Sequence, residues 1–150
     1  MKNTQKIMLA GLLISAGYSA LASAHTQFGV LGKTTSGASA TDVYQLSCPV
    51  GTAKLYLRIA DSAPVLPSLV SIQATKNSKS STLSVDGGDG DAFYSSAVTL
   101  TKGAGTYLIT LNKNLSSTKG QEQYSAEFHC LDAGGNHIGN QPDPVMTQNQ

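Results

Sequence analysis

Beyond residue 24, apolar side chains recur at every second position and almost nowhere at helical spacing. In DVYQLSC, Tyr44, Leu46 and Cys48 share one face while Val43, Gln45 and Ser47 share the other. KLYLRIA sets Leu55, Leu57 and Ile59 against Tyr56 and Arg58, and LVSIQA aligns Val70, Ile72 and Ala74. TYLITLNK aligns Tyr107, Ile109 and Leu111, and QYSAEFHCL aligns Tyr124, Ala126, Phe128 and Cys130. A period of two describes strands with one buried face. Turn signals separate these runs: Pro49-Val50-Gly51, Pro64 with Pro67, the DGGDGD run at 86–91, Gly103-Ala104-Gly105, and Gly134-Gly135-Asn136. The polar KNSKSS stretch at 76–81 reads as an exposed loop or hairpin. With FGVLG, TLSVD and SAVTL added, the pattern predicts about seven to nine short strands in an all-β, antiparallel sandwich. A barrel is the alternative the pattern leaves open.

The cysteines sharpen the choice. Cys48 falls on an early strand and Cys130 on a late one, and both lie on the inward face. An early-to-late bridge across two sheets is the immunoglobulin-like arrangement, and the cupredoxin-like sandwich is its near neighbour. No Trp is present to pack on the bridge, and Phe128 stands two before Cys130 where a tyrosine corner would have Tyr. The expectation is therefore a general sandwich, not an antibody domain. In the chain-entropy model, closing a loop of about 80 residues contributes on the order of 4 kcal/mol.

The first 24 residues differ from the rest. Lys2 and Lys6 precede an apolar run, Ile7 to Ser15, and Ala22-Ser23-Ala24 has the small-x-small form of a cleavage site. This reads as a secretory signal peptide, too short in its apolar part to span a membrane comfortably. Export places the two cysteines in an oxidising compartment, periplasmic or extracellular, where an even pair means a disulfide. The expected organisation is a signal at 1–24, a sandwich at 25–139, and an extended or flexible tail at 140–150, where NQPDPVMTQNQ is poor in apolar residues. Loss of Lys2 and Lys6 takes ten basic residues to eight against nine acidic ones, for a net charge of −1. No basic run remains, so nucleic acid and anionic lipid are not expected partners.

Cleavage after Ala24 would also make His25 the first residue. An N-terminal histidine offers its amine and its Nδ1 to one cation, and one further imidazole completes a T-shaped set of nitrogens suited to copper(II). The chain holds only two other histidines, His129 and His137. Alternation turns His129, with Glu127, to the face opposite the disulfide; His137 follows the Gly-Gly-Asn turn, with Asp132 nearby. Against this stand plainer roles, a solvated loop histidine and a His129–Glu127 pair. The aspartates Asp86, Asp89 and Asp91 are read as turn residues rather than a calcium site, because the EF-hand order and its closing Glu are missing. No G-x-S-x-G and no H-E-x-x-H occurs, so nothing marks the chain as an enzyme.

A leading His25 and the stretch Asp132-Ala133-Gly134-Gly135-Asn136-His137-Ile138-Gly139 resemble features of small periplasmic copper-binding proteins of the CopC-like kind, which are β-sandwiches. The resemblance covers about a dozen positions; the disulfide and the longer Asp–His spacing depart from it. It implies a copper(II) carrier or buffer whose ligands are His25, His137 and an acid such as Asp132. A second expectation, of another class, is a non-enzymatic surface module that self-associates or joins an extracellular assembly, suited by low charge and abundant Ser, Thr, Gln and Asn.

Overall fold

Ten strands, every pairing antiparallel, make two sheets in the computed structural model, which describes residues 25–32, 39–63, 68–88, 90–91, 93–114 and 120–150. The expected signal at 1–24, Pro64, Pro67 and Asp89 lie outside the described residues. The strands are β1 (Thr26–Leu31), β2 (Thr41–Cys48), β3 (Lys54–Ser62), β4 (Leu69–Lys76), β5 (Lys79–Ser80), β6 (Ser84–Val85), β7 (Val98–Leu100), β8 (Gly105–Asn114), β9 (Glu122–Leu131) and β10 (Val145–Gln148). One sheet has the order β1-β9-β3-β7; the other runs β10-β2-β8-β4-β5, with β6 also on β4. The sequence-derived sandwich is what the chain forms.

The period of two is what builds the core. Leu46, Leu55, Leu57, Ile59, Ile72, Tyr107, Ile109, Leu111, Phe128 and Cys130 are all buried, each at a position the alternation turned inward. β2 and β9 belong to different sheets and face each other across the core. Cys48 and Cys130 meet there with Cα atoms 5.6 Å apart, tying the six-stranded sheet to the four-stranded one. KNSKSS proves to be a hairpin: Lys76 pairs Lys79, and the two residues between, Asn77 and Ser78, have φ of 50° and 59°. Positive φ at both central positions matches the right-handed twist of the flanking strands, and Asn tolerates it best among residues with a Cβ.

A polar chain also crosses the core. Tyr124 on β9 donates from its hydroxyl to Asp42 Oδ2 at 2.7 Å, and its oxygen lies 2.8 Å from that of Tyr44. Gly29 sits opposite Tyr124 in the β1–β9 register, and a Cβ there would collide with the phenol ring. Glycine at this position lets the ring lie flat across β1 and reach the other sheet. No helix among the described residues is long and apolar enough to cross a membrane.

Candidate metal centre

The outer face of the four-stranded sheet carries a cluster of ionisable and aromatic side chains. In the β3–β9 register Arg58 faces Glu127 and Tyr56 faces His129. All four project away from the disulfide face, as alternation requires. Outward does not mean solvated here: His129 is 5% exposed and Glu127 8%. The cover comes from the segment after β9. Asp132 to Asn136 turn the chain, Leu131 bridges His137, and the Ile138 amide donates to the Cys130 carbonyl at 3.0 Å. Buried Gln141 then staples the segment down, accepting from the Cys130 amide at 2.6 Å and donating to the Phe128 carbonyl at 3.0 Å.

His25 meets the same edge of β9, at the point where β1 begins. β1 begins pairing at Thr26 opposite Glu127, and the Phe128 amide donates to the His25 carbonyl at 3.4 Å. His25, remote in sequence from His129 and His137, thus meets through its backbone the stretch of β9 that carries His129. The rings of His129 and His137 have centroids 4.2 Å apart, and Tyr56 lies 5.5 Å from His129 on its other flank. His25 Nδ1 is 3.1 Å from Asp143 Oδ1; the histidine side chain is 23% exposed and the carboxylate 89%. A cavity of about 390 Å³ opens on this face, lined by Tyr56, Arg58, Glu127, His129, Leu131, Gly135 and His137.

Charge within the cluster is ordered. Arg58 Nε donates to Glu127 Oε2 at 2.6 Å, and its guanidinium lies 4.3 Å over the Tyr94 ring. The same Glu127 oxygen is 3.7 Å from His129 Nε2. Burial alone would raise the Glu127 carboxyl, but Arg58, by hydrogen bond and by charge, and His129 hold it below its ordinary value. Burial also lowers the His129 imidazole, with positive charge on His137 and His25 acting the same way against Glu127. His129 is thereby favoured as a neutral base. Its Nδ1 is sealed from water with no hydrogen-bond partner among the described residues.

The other candidates have different surroundings. The Asp132 carboxylate accepts from the amide and the side chain of Asn136, closing the Gly-Gly turn, and those bonds hold its pKa low. It does not line the cavity. Asp86 accepts from the Gly88 amide and Asp91 from that of Phe93, which are turn-forming bonds, and the other Asp86 oxygen accepts from the Asp61 amide on β3, tying the loop to the sheet. Among the described residues no three side chains of His, Cys, Asp or Glu stand together as a metal-holding group. Sequence reasoning had not singled out Arg58, Tyr56 or Asp143. The first two were visible only as the polar half of KLYLRIA, and Asp143 only as the acid between two prolines in QPDP. No family model matches the chain, and no curated protein does.

Proposed function

We propose that the exported chain, cut after Ala24, binds one copper(II) ion as a carrier or buffer. The freed amine and Nδ1 of His25 form a chelate, and His129 or His137 adds a third nitrogen. A metal site of this kind needs only two imidazoles, because the backbone amine is the other donor; in the uncut chain that nitrogen is an amide. The observation that carries the reading is the meeting of the His25 backbone, the His137 ring and His129 at one edge of β9, with a buried imidazole nitrogen there that has no partner among the described residues. A polar atom sealed without a partner costs about 1–3 kcal/mol, a cost that a bound cation would remove. Nitrogen donors of this type favour copper(II) over zinc or nickel by the general order of affinities. No turnover is required by this arrangement.

The test is a pair of calorimetric titrations with copper(II), one on protein beginning at His25 and one carrying a single extra residue before it. Tight one-to-one binding by the first and its loss in the second is the expected result. Equal affinity in both would remove the terminal chelate. A second reading, self-association or docking in a surface assembly, draws on the sheet edges: β10 is exposed along its whole length, and β1 presents Phe28 and Val30 to solvent. Size-exclusion chromatography with and without copper separates the two, since polymers that ignore the metal favour the assembly reading.

A further inference from the structure

We infer that Glu127 is a positioning residue that selects His129 Nδ1 as the third nitrogen of the site; the inference rests on the copper reading above and decides between its two candidate imidazoles. The β3–β9 pleat places Arg58 beside Glu127, and Glu127 two residues from His129 on one face. Arg58 fixes Glu127 Oε2 by a 2.6 Å bond, so the oxygen that faces His129 Nε2 at 3.7 Å cannot wander. An anionic oxygen opposite Nε2 favours the tautomer with its hydrogen there, which leaves Nδ1 as a bare lone pair. That nitrogen is the orphan: buried, and without a partner among the described residues.

A carboxylate on one ring nitrogen and a metal on the other is the general form of an oriented imidazole ligand. Position agrees. His25 hydrogen-bonds through its carbonyl to Phe128, the immediate neighbour of His129, whereas His137 pairs with Leu131 further along β9. His137 then serves as the wall that closes His129 from solvent, ring against ring at 4.2 Å.

Two measurements test this. In metal-free protein with labelled histidine, long-range proton–nitrogen correlation should show His129 protonated on Nε2, and Glu127→Gln should blur that preference, since an amide can donate as well as accept. In the copper-loaded protein, E127Q should weaken copper about 10–100-fold in competition with a chelator. His129→Gln should remove one nitrogen from the paramagnetic resonance hyperfine pattern, while His137→Gln should keep it. A wild-type His129 protonated on Nδ1, or a nitrogen lost with H137Q and kept with H129Q, overturns the inference and leaves the terminal chelate standing. Absence of copper binding by protein beginning at His25 overturns both.

Discussion

Tyr124→Phe removes one oxygen atom from the middle of the sandwich, and its cost can be worked from three distances. The phenol donates to Asp42 Oδ2 at 2.7 Å, so its own oxygen is left to accept from Tyr44, 2.8 Å away. Asp42 is wholly buried, and its other oxygen accepts from the Gln150 amide at 3.0 Å. Burial, followed by the bonds to Tyr44 and Asp42, pushes the Tyr124 phenol far above its ordinary range, so it stays protonated and remains a donor. A hydrogen bond to a charged group is worth about 1.5–3 kcal/mol and a neutral one about 0.5–1.5 kcal/mol. Tyr124→Phe breaks both and should cost about 2–4 kcal/mol. Tyr44→Phe breaks only the neutral bond and should cost about 1 kcal/mol. Because the second loss is contained in the first, the double variant should cost no more than Y124F alone, a coupling of about 1 kcal/mol. Urea denaturation followed by circular dichroism reads all three as midpoint shifts at constant slope. Equal effects of the two single variants, or strict additivity in the double, would refute the relay from Tyr44 through Tyr124 to Asp42.

Two further outcomes bear on the staple and on the site. Replacing Cys48 and Cys130 together by Ala should lower unfolding stability by about 4 kcal/mol, the chain-entropy value for the 82-residue separation; a loss under about 1 kcal/mol would show the sandwich indifferent to its bridge. Stability should fall on acidification in metal-free protein. His129 has a folded value below its ordinary 6.5, so the unfolded chain takes up its proton first and stability drops as pH falls from about 6.5 towards the folded value. Glu127 is also depressed, so its contribution is whole above 4.5 and is lost as pH falls through its folded value. Thermal melts that do not move between neutral pH and about pH 5 would contradict the burial of a neutral His129.

The sandwich was legible because its cause is local. Two-residue alternation over 44–48, 55–59 and 124–130 states which side chains face inward, and the two cysteines on inward positions state that early and late strands oppose each other. The hairpin at Asn77 and Ser78 was legible as polarity but not as turn geometry, since several loop forms share that composition. The site was legible only as residue types. His129 and Glu127 were correctly turned to the face opposite the disulfide, yet their burial was not legible, because nothing in local alternation reports that residues 132–141 fold back over that face. Arg58 and Asp143 escaped for the same reason: their relevance depends on register and on chain return, both long-range properties.

That chain return accounts for where the histidines meet. β9 runs to Leu131, but β1 begins only at Thr26 opposite Glu127, so one edge of Phe128 to Leu131 lacks a strand partner. Backbone groups left unpaired there would be costly once covered. The chain satisfies them in pieces: the His25 carbonyl takes the Phe128 amide, Gln141 takes the Phe128 carbonyl and the Cys130 amide, and Ile138 serves the Cys130 carbonyl. The residues recruited to finish the sheet are therefore those at the start of β1 and in the segment that follows β9. His25 and His137 belong to those two segments, and both reach the stretch that carries His129. Completing the edge of the sheet is, in this fold, the same event that brings the His25 backbone and the His137 ring to the stretch carrying His129, and Gln141, which staples the returning segment to that edge, bears on where both come to lie.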